Sequence, residues 1–164
     1  MTSYNALLVE DNETFARAVV AGFEAYKGDV AFSIEVAHSS AAAVRMIQSH
    51  DYDVIVLDLN LVDTKGDETF RVVHDAATKN ITKDGKEQGI PIIVLTGRGS
   101  VDYSTMIVKG AKDFLQKPVS IERMYKRMHI TILNWPYART KELHDSIERH
   151  LALAEEAINK LPPA

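Results

Sequence analysis

The chain contains no cysteine, which excludes disulfides and thiolate metal ligands and fits a reducing compartment. Long apolar runs are also missing. The longest are strand-sized, as in Ile90 to Leu95 with Pro91 inside it, far short of the roughly 20 apolar residues a membrane-crossing helix needs. The opening residues Met1-Thr2-Ser3-Tyr4 have neither the basic cluster nor the apolar stretch of a secretory signal, so a cytoplasmic location is expected. Positive charge is not in excess: 19 Lys and Arg against 23 Asp and Glu leave a net charge of −4. Neither nucleic acid nor a membrane is therefore expected as a partner. No internal repeat and no low-complexity segment interrupts the chain. What remains is an ordinary globular composition, 46% hydrophobic and 26% charged over 164 residues, the size of one domain with something added.

Hydrophobic spacing alternates between the two periods of regular structure. Ala6 to Glu10 is strand-like and precedes an amphipathic stretch, Glu13 to Lys27, with Phe15, Val19, Phe23 and Tyr26 at helical spacing and Gly28 as its expected stop. Phe32, Ile34 and Val36 alternate with polar residues as in a strand, and Ser39 and Ser40 are placed to cap a helix running to Ser49, with Val44 and Ile47 inward. Asp53 to Leu57 is a buried-type strand, and Gly66 to Thr78 a helix carrying Phe70, Val73 and Ala77. Next come a strand at Pro91 to Leu95, a short helix at Val101 to Lys109, a short strand at Asp113 to Gln116, and a helix at Val119 to Leu133. The last presents Ile121, Met124, Met128 and Ile132 on one face. Five strands alternating with five helices predict a doubly wound α/β fold with a parallel sheet. Pattern alone leaves both common strand orders open.

In such sheets, sites form beyond the carboxyl ends of the strands. The first strand ends in Glu10-Asp11, the third in Asp58, the fourth in Thr96 and the fifth in Lys117-Pro118. Singly, each has an ordinary explanation: a helix cap, a loop carboxylate, a turn, a solvated lysine. Together they place three carboxylates, a hydroxyl and an ammonium at one rim. Carboxylates about 4 Å apart repel by roughly 4 kcal/mol per pair at an effective dielectric near 20. Such a cluster needs a cation or shared protons, and an all-oxygen donor set favours Mg²⁺ over zinc.

These residues resemble the response-regulator receivers of two-component signalling (CheY-like). The resemblance covers roughly Ala6 to Leu133. It rests on Glu10-Asp11, Asp58, Gly66 eight residues later, Thr96 followed by Gly97, and Lys117-Pro118, with Phe114 at the family's aromatic switch position. It implies a five-stranded, flavodoxin-like parallel sheet in the order 2-1-3-4-5. It also implies a receiver domain at 1–133, leaving 134–164 as a helical extension. Asp58 would accept a phosphoryl group from a histidine kinase or phosphotransfer protein. Glu10, Asp11, Asp58 and the backbone carbonyl of Asn60 would hold Mg²⁺. Lys117 and the Thr96 hydroxyl would meet phosphoryl oxygens, and Thr96 and Phe114 would relay the event to the surface. Such a protein is not an enzyme with a separate substrate; it catalyses only its own phosphorylation and dephosphorylation. The alternative is a pseudo-receiver that binds partners without phosphorylation. An aspartate-based phosphatase would want a second acid two residues after Asp58, where Asn60 stands. A flavodoxin-type cofactor carrier would not place acids after its first strand.

Three departures from the family pattern stand out. Glu10 takes the place of the more usual aspartate. Val62 stands where a proline is frequent, and is expected to loosen the loop. The polar connection Asn80 to Gly89, with a turn at Asp84-Gly85, is long. Beyond Asn134-Trp135-Pro136 a last helix is expected to about Lys160, before Pro162-Pro163. Its Ile147, Leu151, Ala154, Ile158 and Leu161 recur at spacings of four, three, four and three, with Leu143 adjoining. That heptad seam predicts self-association. Docking on the receiver, or a homodimer through the face of the fourth helix, fifth strand and fifth helix, are the alternatives. The mixed charges of this segment suit a protein partner as output rather than DNA.

Overall fold

A computed structural model describes residues 1–79, 89–97, 103–135 and 140–161. The expected Asp84-Gly85 turn, the start of the fourth helix at Val101, the Pro136 break and the Pro162-Pro163 stop lie outside the described residues. The elements alternate as β1 (Ser3–Val9), α1 (Glu13–Ala25), β2 (Ala31–Ala37), α2 (Ser40–Ser49), β3 (Val54–Asp58), α3 (Gly66–Thr78), β4 (Ile92–Thr96), α4 (Tyr103–Lys109), β5 (Asp113–Gln116), α5 (Ile121–Leu133) and α6 (Thr140–Asn159). The five strands form one sheet, ordered β2-β1-β3-β4-β5, and every pairing is parallel.

The sheet divides the core in two, because successive strand residues face opposite ways. Leu7, Val9, Ile55, Leu57, Ile92 and Val94 pack with Ile47, Phe70, Val73 and Met106 from α2, α3 and α4. Ala6, Leu8, Val54, Val56, Ile93 and Leu95 pack with Val19, Phe23, Met124 and Met128 from α1 and α5. Covered on both faces, β3 and β4 are buried at every residue, so their apolar character runs unbroken instead of alternating. Truncating Leu57 or Ile93, both fully buried, to alanine costs about 2–5 kcal/mol. Asn12, Ser39 and Ser120 cap the helices that follow them, each side chain accepting the backbone amide three residues further on.

Several boundaries differ from the sequence reading by one to three residues, and two of them carry a packing lesson. β1 begins at Ser3, three residues early, because buried Tyr4 packs against Phe32 and His129. α1 ends at Ala25 with Tyr26 already extended, so Gly28 does not terminate it. Gly28 makes room instead for Tyr125: a Cβ there would sit 2.2 Å from its ring and hydroxyl. That hydroxyl takes the Val30 amide at 2.9 Å.

Candidate functional site

The carboxyl ends of β1, β3, β4 and β5 converge at one rim. The side-by-side pairing of β3 and β4 sets Asp58 opposite Leu95, one residue before Thr96. The Lys117 amide donates to the Thr96 carbonyl at 2.7 Å, which fixes the β5 exit against β4. The Lys117–Pro118 peptide is cis. Glu10 leaves β1 with its amide on the Ala37 carbonyl at 2.9 Å, and its carbonyl lies 3.0 Å from His38 Nδ1.

Lys117 lies at the centre. Its ammonium donates to Glu10 Oε2 at 2.7 Å and to Asp58 Oδ2 at 3.0 Å. The remaining oxygens of those carboxylates accept backbone amides: Glu10 Oε1 from Asn12 at 3.0 Å, and Asp58 Oδ1 from Asn60 at 2.8 Å. Glu10 is 1% exposed, and a buried carboxylate is tolerated only when so paired. Burial raises the Glu10 carboxyl above its ordinary value, against the opposing pull of Lys117 and the Asn12 amide. Burial alone would lower the Lys117 ammonium, but its hydrogen bonds to Glu10 and Asp58 outweigh that and hold it above its ordinary value.

Glu10, Asp11 and Asp58 can bring one oxygen each within 4.8 Å of one another, with Asp11 the most open of the three. Three carboxylates against one ammonium leave a formal charge of −2, which a divalent cation balances. The donor set is oxygen throughout, so it fits Mg²⁺. Of the remaining expected site residues, Thr96 is buried at the end of β4, Asn60 follows Asp58 on the exposed side, and Phe114 is half-buried in β5 against the α2–α3–α4 core. The rim thus gathers Glu10, Asp11, Asp58, Asn60, Thr96 and Lys117; Phe114 lies behind it.

Two participants were not foreseen. The Phe15 ring lies beneath the Lys117 ammonium, 4.4 Å from centroid to nitrogen, a cation–π distance. Its helical spacing had marked it only as a core residue. Asp63 accepts the Ser40 amide at 3.0 Å, the Ser40 hydroxyl at 2.7 Å and the Ala41 amide at 3.0 Å. It ties the β3–α3 loop to the start of α2. Nothing in local spacing marks either contact. The Val62 side chain that replaces a frequent proline is 73% exposed, yet the loop around it is held by Asp63.

Residues 6–129 match the response regulator receiver domain family. The chain is 29% identical to the response regulator ArlR of Staphylococcus haemolyticus over 133 residues, covering 80% of this chain and 54% of that protein. It is 32% identical to the transcriptional regulatory protein CutR of Streptomyces coelicolor over 125 residues, covering 74% of this chain and 50% of that one. The chain thus spans about half the length of the curated relatives it matches. The CheY-like receiver domain from Methylobacillus flagellatus superposes with a TM-score of 0.62 at 19% identity, covering 79% of this chain and 99% of that one.

Proposed function

The chain belongs to the response regulator receiver domain family, and from that premise we propose that Asp58 accepts a phosphoryl group from a phosphohistidine on a histidine kinase or phosphotransfer protein. Receivers of this kind are signalling domains of two-component systems. The observation that carries the proposal is Lys117 bridging Glu10 and Asp58 beside Asp11, which combines a nucleophile, a fixed ammonium and an acidic metal cradle.

Phosphoryl transfer depends mainly on positioning and charge stabilisation. An Asp58 oxygen attacks phosphorus, the phosphorus–nitrogen bond breaks, and the imidazole leaves. The Asn60 amide fixes the other Asp58 oxygen and so orients the carboxylate. Lys117, tethered through the Thr96 carbonyl and steadied over Phe15, meets the charge that develops on a phosphoryl oxygen. The Thr96 hydroxyl takes another. Glu10, Asp11, Asp58 and the Asn60 carbonyl would hold Mg²⁺, which when bound neutralises negative charge on the transferring group. Movement of Thr96 toward the phosphoryl group opens space that Phe114 can occupy, biasing the surface of α4, β5 and α5 between two arrangements.

Downstream, the signal passes to a protein partner in the cytoplasm. Residues 1–133 act as the receiver and 134–164 as an interaction element. Leu151 and Ile158 on α6, and Leu161 just beyond its end, are 53%, 64% and 68% exposed. They lie with Ala154 on the heptad seam, which a second copy would cover. Self-association through α6 is therefore favoured over the α4–β5–α5 face.

A pseudo-receiver draws support only from Glu10, whose carboxylate Lys117 and the Asn12 amide already occupy. The readings separate on incubation with acetyl phosphate and Mg²⁺. Intact mass should show one added phosphoryl group, and a chelator should prevent it. No addition under any metal condition would leave the phosphorylation-independent module standing.

A further inference from the structure

The α2 helix has two N-terminal caps, only one of them local. Ser39 Oγ takes the Ala42 amide at 3.1 Å, an arrangement that suffices for most helices. The two preceding amides, Ser40 and Ala41, are orphan donors of a helix start. They are met by Asp63, which reaches back 23 residues and takes the Ser40 hydroxyl as well. These donors outweigh the effect of burial and hold the Asp63 carboxyl below its ordinary value.

Asp63 lies in the loop that leaves the acceptor strand. The loop's other bonds are internal or run to its flanks. The Leu61 amide donates to the Thr64 carbonyl at 3.1 Å, the Gly66 amide to the Leu59 carbonyl at 2.7 Å, and the Thr69 hydroxyl to the Thr64 hydroxyl at 2.7 Å. They define its shape but do not tie it to the α2 side of the rim. No proline ring stiffens position 62, and the exposed Val62 side chain anchors nothing. The Asn60 amide within this loop holds Asp58 Oδ1.

We propose that Asp63 is a positioning residue for phosphoryl transfer: by clamping the β3–α3 loop to the start of α2, it holds Asn60 in place against Asp58. It supplies from a side chain the restraint that a proline at position 62 would supply from the backbone. The proposal rests on Asp58 being the acceptor, but the clamp has a readout that needs no phosphodonor.

Two measurements on the full chain test it. In Asp63→Ala, hydrogen exchange at the Leu61 and Gly66 amides should speed by about tenfold, the size of one lost cap. The initial rate of phosphorylation by acetyl phosphate with Mg²⁺ should fall by about ten- to hundredfold, as displacements near 1 Å produce. Adding Val62→Pro to Asp63→Ala should restore most of that rate, since the ring fixes φ. Val62 donates no backbone hydrogen bond among the described residues that a ring would remove. Ser39→Ala is the control: it removes the local cap of the same helix and should leave the rate unchanged. Equal slowing by Ser39→Ala would overturn the proposal, because Asp63 would then act only through α2 stability. Unchanged exchange and an unchanged rate in Asp63→Ala would overturn it as well. Asp63→Asn, which retains one acceptor oxygen, is read the same way if the alanine variant does not fold. Should wild type take no phosphoryl group, the acceptor assignment fails, and the exchange measurement still decides the clamp.

Discussion

The Lys117 ammonium is held 2.7 Å from the Glu10 carboxylate, a residue 107 positions away in the chain. Glutamate is one methylene longer than aspartate, and that reach lets its oxygen meet the lysine. Mg²⁺ demands near-octahedral geometry at about 2.0–2.1 Å, so an oxygen committed to Lys117 is a poorer metal ligand. Glu10→Asp should therefore bind Mg²⁺ more tightly than wild type in a calorimetric titration. Equal affinities would mean that Glu10 meets the metal through water or not at all.

Removing Lys117 should destabilise the fold as well as silence the site. Lys117→Met leaves Glu10, 1% exposed, without its cation, and breaking a buried pair in this way costs about 3–5 kcal/mol. The urea midpoint should drop accordingly. Adding Glu10→Gln should recover part of the loss, since the buried charge at position 10 is then gone and only Asp58 is left without the lysine. A double variant as unstable as the single would show that Lys117 stabilises the fold by other contacts.

Asp63 gives the fold a pH dependence with a definite sign. Its folded-state value is lowered by the Ser40 and Ala41 donors, so the stability it contributes is present above its unfolded value of about 3.9. That contribution is lost as pH falls through the lower folded value. The stability gap between wild type and Asp63→Ala should be constant near neutrality and should close on acidification below about pH 4. A gap that widens with acid would contradict the hydrogen-bonding account.

Thr96 and Phe114 should couple the site to the surface. Thr96→Ala should still accept phosphate on Asp58, yet lose much of the change in amide chemical shifts across α4, β5 and α5 that follows in wild type. A phosphorylated Thr96→Ala variant that shifts like wild type would remove Thr96 from the relay.

Self-association through α6 is tested by solution mass. Burial of a Leu or Ile side chain is worth roughly 1.5–3 kcal/mol, and Leu151, Ile158 and Leu161 stand more than half exposed. The full chain should sediment as a dimer at high micromolar concentration, and a version ending at Asn134 as a monomer. A monomeric full chain refutes the seam. A dimer that survives truncation moves the interface to α4, β5 and α5.

The fold and the acidic rim were legible because their signals run along the chain. Unbroken apolar strands such as Ile92–Thr96 and capped amphipathic helices repeat at fixed local periods, and the rim residues are whatever follows each strand. The resemblance supplied the strand order, which periodicity left open. Contacts between separate elements were not legible. Gly28 read as a helix stop because glycines often are; its accommodation of Tyr125, 97 positions on in the sequence, has no local signature. Phe15 over Lys117, and Asp63 on Ser40, likewise follow from how the loops meet at the rim. Val62 alone suggested a loose loop, since the residue that restrains it acts through a side chain one position further on.

The central claim is that Asp58 is the phosphoryl acceptor, and intact mass of wild type beside Asp58→Asn after incubation with acetyl phosphate and Mg²⁺ tests it most directly. One added phosphoryl group on wild type and none on Asp58→Asn is the predicted result; equal modification of the two proteins at the same rate would contradict it.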